Sequence, residues 1–321
     1  MAQNKSISIK SLILVAILMC FNADAFSQSF TTPIPWHHTS YESRISALAQ
    51  STAALGNSTP YNINPAVPAE AGVLTVSSFL PSARIFEASE DGADLYSPAI
   101  GFSTGRFSYS AMIDYTSFSV PADFGASIDQ YSNRMIRVRA GFKMNEAFSV
   151  GAGLLHSSYK SPTFIFNERN FGGDASALGI DLGLYYKTLF ESNNFLFRPQ
   201  AGLSLNSIGP GFSYESTDMP DDNLPGQIRL GVGVDVQIKQ RALDNHLIGL
   251  GLYTGFSKYL ARKELQDNPA DLNRPGGFEA LFTTWNSFER FTGSEVDVIS
   301  LGDQISASLG VELQFLETLY L

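Results

Sequence analysis

Several long segments of the chain alternate apolar residues with polar or small ones at a period of two. In the segment 227–239 (QIRLGVGVDVQIK) every second residue is Ile, Leu or Val, and the residues between them are polar or Gly. The segments 134–143, 177–187 and 305–315 repeat this pattern. Because successive side chains of a β-strand point to opposite faces of a sheet, these segments predict strands with one apolar and one polar face.

Alternation alone leaves two kinds of sheet open, since a strand of a soluble β-sandwich also has one polar face. Length favours a transmembrane barrel. A tilted membrane strand needs roughly 9–11 residues, as these segments have, whereas soluble strands usually have about 5–6. We predict ten strands, near residues 72–80, 97–104, 106–118, 133–143, 147–158, 175–189, 195–206, 226–239, 246–259 and 304–315.

The connections between these strands alternate in length. The short ones are 104–105, 144–146, 191–194 and 240–245, and the long ones are 81–96, 119–132, 159–174, 207–225 and 260–303. Outer-membrane barrels place short turns in the periplasm and long loops at the other end. A Greek-key sandwich has no reason to sort its loops in this way. The prediction is therefore an all-β, antiparallel transmembrane β-barrel over residues 72–321, surrounded by outer-membrane lipid.

The N-terminus has the layout of a secretory signal peptide. Lys5 and Lys10 precede the apolar run 11–21, and the small residues Ala23 and Ala25 follow it. This run is too short for a membrane helix, which needs roughly 20 residues. We predict an exported chain with a signal peptide at residues 1–25 and a periplasmic segment at 26–71. Cys20 is the only cysteine, so the mature chain has neither a disulfide nor a thiol nucleophile.

Residues 317–321 (ETLYL) have the features of another short turn followed by the first residues of a further strand. Two interpretations are open. The barrel closes with about ten strands, an even number that outer-membrane barrels allow, or the chain is truncated at its C-terminus. We favour truncation.

Seven charged residues fall on the polar parity of the predicted strands, which would face the barrel interior. On the lipid face near the bilayer midplane, an Arg or Lys would cost about 2–4 kcal/mol. We expect these charges to pair with one another across a filled lumen. The alternative is that they line a polar path or hold the N-terminal segment. The predicted inward charges are Asp114, Arg137, Arg139, Asp181, Arg229, Asp235 and Glu312.

The sequence predicts neither an enzyme nor a cofactor or metal site. The adjacent residues His37 and His38 would point in opposite directions on an extended chain. His156 precedes Ser157 at a strand end, and a Ser–His hydrolase would also need an orienting group nearby. A further hypothesis is an outer-membrane enzyme, which a cluster of Ser, His and acidic side chains at the loop rim would favour. The net charge of −10 argues against nucleic acid as a partner.

Four stretches of the chain resemble the PorV family of outer-membrane proteins, which is related to the FadL-type transporters of hydrophobic compounds. The first contains Asn64, Pro65 and Ala66, similar to an element that the superfamily has before its first strand. The others are ALGIDLGLYYK, LNSIGPGFSYE with the following LPGQIRLGVG, and GDQISASLGVELQF. The chain departs from the family pattern in having Ile63, where an aromatic residue often precedes the element.

The resemblance implies a fourteen-stranded barrel with an N-terminal plug-like segment in its lumen. It also implies a role in type IX protein secretion, in which such proteins receive secreted proteins and pass them to the cell-surface attachment machinery. The expected partners are then secreted proteins and proteins of the secretion machinery. The alternative function is a FadL-like passive transporter of hydrophobic small molecules, with a hydrophobic ligand and an apolar pocket near the N-terminal segment.

Overall fold

The computed structural model describes residues 53, 62–67, 74–79, 82–83, 93–119, 130–160, 164–166, 169–171, 173–192, 194–214, 223–240, 245–260, 264–265, 272–273, 276–292, 295–315 and 319–320. The predicted signal peptide at 1–25 lies outside these residues. So do His37 and His38.

The described part of the chain is built almost entirely from β-strands. Their bounds are β1 (Leu74–Phe79), β2 (Ser82–Ala83), β3 (Ala93–Thr104), β4 (Phe107–Ser119), β5 (Gln130–Lys143), β6 (Phe148–Lys160), β7 (Phe164–Phe166), β8 (Arg169–Phe171), β9 (Ala175–Lys187), β10 (Phe190–Glu191), β11 (Phe195–Ile208), β12 (Ser213–Tyr214), β13 (Gln227–Gln240), β14 (Asn245–Tyr259), β15 (Glu264–Leu265), β16 (Leu272–Asn273), β17 (Phe288–Thr292), β18 (Glu295–Ile299), β19 (Ile305–Phe315) and β20 (Leu319–Tyr320). The chain also forms a short α-helix, α1 (Ala280–Thr283), and a 3-10 helix, Gly302–Gln304.

One large antiparallel sheet dominates the structure. Its strands are hydrogen-bonded in the order β1-β3-β4-β5-β6-β9-β11-β13-β14-β19-β20, so each main strand pairs with the next one along the chain. The prediction of an all-β antiparallel fold is confirmed, and each of the ten predicted strands is present. The short strand β20 pairs with β19, with Leu319 opposite Phe315.

The two faces of the sheet have opposite polarity, and the apolar one is exposed. On β9, Leu178 is 63% exposed while Asp181 is fully buried, and the pattern of alternate burial runs along the strand. Val138 on β5 and Leu230 on β13 are likewise exposed, while their neighbours Arg137 and Arg229 are buried. We call the exposed apolar side the outer face and the other the inner face.

The connections alternate in length as predicted. Strands β3 and β4 are joined through Gly105, whose positive φ of 52° suits a tight turn between antiparallel strands. We call this side of the sheet the short-connection end, and the opposite side the long-connection end. The predicted long loops contain structure of their own. The segment 260–303 holds the two-stranded sheets β15–β16 and β17–β18 as well as α1.

In the residues that the structure describes, the longest α-helix is the four-residue α1, and none is long and apolar enough to cross a membrane.

Candidate functional site

A short N-terminal stretch, residues 62–67, is buried against the inner face. Within it, Asn64, Pro65 and Ala66 form a tight turn in which the N–H of Val67 donates to the carbonyl of Asn64 at 3.2 Å. The Asn64 side-chain oxygen accepts the N–H of Ala66 at 3.0 Å. Proline presets φ for the second turn position, and asparagine bonds to its own backbone two residues on. The Asn-Pro-Ala sequence therefore specifies this turn locally. We call residues 62–67 the turn segment.

The Asn64 amide also anchors the turn segment to its surroundings. Its Nδ2 donates to the carbonyl of Ala53 at 2.9 Å and to the carbonyl of Leu184, on β9, at 3.0 Å. Asn64 is almost completely buried, and these bonds use both donors and the oxygen of its side chain. A buried amide with each group paired stabilises one arrangement of the segment over others.

Glycines let the turn segment lie directly on the sheet backbone. Gly141, Gly151 and Gly183 are direct register partners on β5, β6 and β9. A Cβ at Gly151 would overlap the backbone of Pro65 and Ala66, and one at Gly183 would overlap Asn64. These three glycines form a row without side chains, which we call the glycine row.

A glycine and an asparagine of β11 also contact the N-terminal residues. A Cβ at Gly202 would overlap the backbone of Ala53. The Nδ2 of Asn206 donates to the carbonyl of Ile63 at 2.9 Å, and Ser204 Oγ donates to the side-chain oxygen of Asn206 at 2.9 Å. The turn segment is thus held by four neighbouring strands, β5, β6, β9 and β11.

Three buried charges lie beside the turn segment. Asp181 Oδ2 is 3.1 Å from Arg137 Nε and 2.9 Å from Arg139 Nε, and each of these side chains is at most 4% exposed. Arg139 also donates through a terminal nitrogen to the carbonyl of Asn62. We call Asp181, Arg137 and Arg139 the ion cluster. It connects β5 and β9 to each other and to the turn segment.

A β-bulge at the end of β11 completes the ion cluster. The pairing of β11 with β9 shifts register between Leu205 and Ile208, and Ser207 within the shift has a φ of 55°. This left-handed conformation is uncommon for a residue other than glycine. It directs the Ser207 N–H to Asp181 Oδ1 at 2.8 Å, and the Ser207 hydroxyl accepts from Arg137 at 3.4 Å.

The other predicted inward charges also lie on the inner face. Asp114 is buried and accepts a hydrogen bond from the Ser97 hydroxyl. Arg229 Nε donates to Gln227 Oε1 at 2.6 Å. Glu312 is buried on β19, and Asp235 is half-buried on β13. The seven positions therefore share one face, and the ion cluster brings three of them into direct contact.

A chain of hydrogen bonds runs from the turn segment towards β14. Tyr185 packs on Ala66 and Val67 and donates through its hydroxyl to Gln200 Oε1 at 2.7 Å. Gln200 Nε2 donates to Asp235 Oδ2 at 3.0 Å, and Tyr253 donates to the other oxygen of Asp235. No local pattern in the sequence singles out Tyr185, Gln200 or Tyr253, because only the register of the sheet places them side by side.

An apolar cluster occupies the inner face on the long-connection side of the ion cluster. Phe212 and Leu224, from the connection between β11 and β13, are buried in it. The sheet contributes Ala99, Met112, Met135, Leu155, Ala175 and Ala177. The alternating pattern of the strands does not predict this cluster. Met112, Met135 and Leu155 are apolar residues at positions where the alternation of their strands predicts polar ones.

His156 and Ser157 lie on opposite faces of β6. Ser157 is buried on the inner face, within 3.5 Å of Asn133 Oδ1, and His156 belongs to the outer row. They do not form a Ser–His pair. Among the described residues, no group of three or more His, Cys, Asp or Glu side chains could hold a metal ion.

Neither a protein-family model nor a curated protein matches the chain.

The glycine row predicts a sharp steric effect at Gly151. We expect Gly151→Ala to lower the free energy of unfolding by about 1–3 kcal/mol, because the added methyl group would overpack the turn segment. Urea unfolding would measure this loss. Gly249→Ala is the matched control, since a Cβ there meets side-chain atoms of Gln314 and Gln237 at 3.3–3.4 Å, and these can move. Equal stability of the two variants would contradict the seating of the turn segment on this row.

The ion cluster predicts a large effect at Asp181. We expect Asp181→Asn to lower the free energy of unfolding by about 3–5 kcal/mol, because it leaves two buried arginines without their carboxylate. Urea unfolding at neutral pH would measure this loss.

The control is Glu146→Gln, in the short turn between β5 and β6. Lys143 Nζ is 2.7 Å from Glu146 Oε2, and this hydrogen bond lowers the pKa of the exposed carboxyl. An exposed pair of this kind contributes little to stability, because water screens the two charges. A loss at Asp181 no greater than the loss at Glu146 would refute the role of the ion cluster.

Proposed function

We propose that the chain is an outer-membrane β-barrel of type IX protein secretion. In this role it receives secreted proteins and hands them to the cell-surface attachment machinery. The observation that carries the proposal is a sheet with an exposed apolar face and a charged inner face, on which Asn64, Pro65 and Ala66 are seated.

The outer face has the dimensions and composition that lipid requires. On β13 the apolar row runs from Leu230 to Ile238, which is about 27 Å along a strand. A tilt of about 40° reduces this to about 21 Å across the bilayer, close to the apolar band of about 25 Å in outer-membrane barrels. Leaving such rows in water would be costly, since each large apolar side chain gains roughly 1.5–3 kcal/mol on burial.

Aromatic residues border the outer face at the short-connection end. The Phe107 ring stacks on Tyr109 with centroids 6.3 Å apart and lies 5.0 Å from the ring of Phe142. The exposed aromatic residues of this border are Phe107, Tyr109, Tyr186, Phe190 and Phe195. Aromatic girdles of this kind mark the boundary between lipid and water in outer-membrane barrels.

Contacts across the inner face support closure of the sheet around the turn segment. Arg137 on β5 reaches Ser207 on β11, although these strands are three positions apart and would be about 14 Å apart on a flat sheet. The sheet must therefore curl towards its inner face. In lipid, only closure pairs the backbone groups of the edge strands.

The secretion role is supported by what the inner and outer surfaces offer. The turn segment, the ion cluster and the apolar cluster are packed on the inner face, and this packing disfavours a wide aqueous channel. The hairpin β17–β18 exposes Val296 and Val298, an apolar surface suited to protein partners. Together with the family resemblance, these features favour handling of proteins over conduction.

The second candidate function is passive transport of hydrophobic small molecules. The apolar cluster favours it, because Phe212 and Leu224 cover Met112, Met135 and Leu155 next to the turn segment. A hydrophobic ligand could replace these contacts if the connection between β11 and β13 moved. Two experiments test the membrane assignment and then separate the two functions.

Two exposed valines separate a membrane sheet from a soluble one. Val232 on β13 is 47% exposed and Val298 on β18 is 65% exposed. In lipid, Val232→Arg should destabilise the chain folded in phosphatidylcholine vesicles by about 2–4 kcal/mol, while Val298→Arg should have little effect. In a soluble protein both arginines would face water, and neither would matter. Equal stability of the two variants would remove the membrane assignment.

Deleting the gene tests the secretion role. We expect secreted proteins that normally attach to the cell surface to appear in the medium, and the wild-type gene to restore attachment. Complementation with the Val232→Arg variant should fail, because that chain does not insert stably. Normal attachment in the deletion strain, with reduced uptake of long-chain hydrophobic compounds, would instead establish the transporter function.

A further inference from the structure

A segment of the longest connection folds back over the outer face. Within residues 276–285, Ala280 is fully buried against Ile208 and Leu260. The residues of the sheet that pack against this group are Ile180 on β9, Leu205 on β11 and Ile228 on β13, all from the apolar outer rows. We call residues 276–285 the collar segment. The buried group that it completes includes residues of β9, β11 and β13, on the side assigned to lipid.

The collar segment covers a lysine that points outward. Lys258 on β14 pairs in register with Ile228 and Ile305, so it belongs to the outer face, yet it is only 2% exposed. Its Nζ donates to the carbonyl of Tyr259 at 3.0 Å and lies 3.4 Å from Thr284 Oγ1. The ring of Trp285 lies 5.4 Å from the same nitrogen, a cation–π distance.

The covered patch lies at the height of the apolar rows. Leu154 on β6 is the direct register partner of Ile180 and is 69% exposed. Leu178, two residues closer to the long-connection end, is exposed as well. The collar segment therefore does not rest on a polar rim above the apolar band. It lies at the long-connection edge of the band, beside side chains that the proposed function places in lipid.

The outward surface of the collar segment is aromatic. Phe282 is 82% exposed, and Phe278 and Trp285 are also exposed. The indole N–H of Trp285 donates to the carbonyl of Leu281 at 2.6 Å, so the ring can face an apolar medium without an unpaired donor. At this patch the collar segment buries Lys258 and exposes aromatic side chains. In water an exposed lysine needs no cover, whereas next to lipid it does.

We infer that the collar segment is a lipid-binding surface, which supplies the aromatic girdle for strands β9 to β14 at the long-connection end. At the short-connection end, the girdle comes from residues of the strands and of the adjoining β10. Aromatic residues at this depth prefer the boundary between headgroups and acyl chains, where an apolar ring and a polar edge are both accommodated. The inference rests on the proposed membrane insertion, and it adds a lipid contact made by a connection.

Tryptophan fluorescence in lipid vesicles tests this inference. The chain has two tryptophans, so Trp36→Phe leaves Trp285 as the only reporter. The variant is folded into phosphatidylcholine vesicles whose acyl chains carry bromine either near the headgroup or near the tail end. Insertion is checked independently by the change in electrophoretic mobility on heating. We expect the bromines near the headgroup to quench Trp285 several-fold more strongly than those near the tail end.

A second reporter provides the control. In a chain with Trp36→Phe and Trp285→Phe, Val296→Trp places the only tryptophan on the hairpin β17–β18, and we expect little quenching from either lipid. An inserted chain whose Trp285 is quenched no more than this reporter would overturn the collar segment as a lipid-binding surface, while leaving membrane insertion intact. A chain that does not insert at all would overturn the inference together with the membrane assignment.

Discussion

The carboxylate of Asp181 is the interaction on which the inner face depends. Two arginines of β5 are buried next to it, and burying a charge without a partner costs far more than one hydrogen bond returns. Asp181 offsets this cost for both, and its second oxygen accepts the N–H of Ser207. The bulge, the turn segment and the sheet therefore meet at one group. Because side chains alternate along a strand, the apolar residues next to these charges lie on the outer face.

The sequence predicted the strands and their two faces because both are local properties. A period of two shows in any single strand, so Arg137, Asp181 and Arg229 could be assigned to the polar face without knowledge of their neighbours. The turn at Asn64, Pro65 and Ala66 is local as well, and its resemblance to a family element pointed to it. Whether the sheet closes, and whether lipid surrounds it, stays a prediction.

What the sequence could not supply is the register between strands. Gly141, Gly151 and Gly183 come from three different strands, and only their pairing makes them a continuous row. The left-handed Ser207 has no signal of its own in the sequence, because serine adopts this conformation only where surrounding bonds enforce it. The collar segment was predicted as part of a long loop, since four helical residues and one buried alanine carry too little periodicity to be recognised.

The glycine row has a consequence for how the chain can change over time. The backbone of Pro65 and Ala66 occupies the space that a side chain at position 151 would need, and the Ala66 nitrogen also lies close to position 183. A larger residue on the sheet can be accommodated only if the turn segment withdraws. Because no substitution at position 66 removes backbone atoms, position 151 should keep glycine for as long as the turn segment stays in place, which couples the N-terminal region to a strand more than 80 residues away.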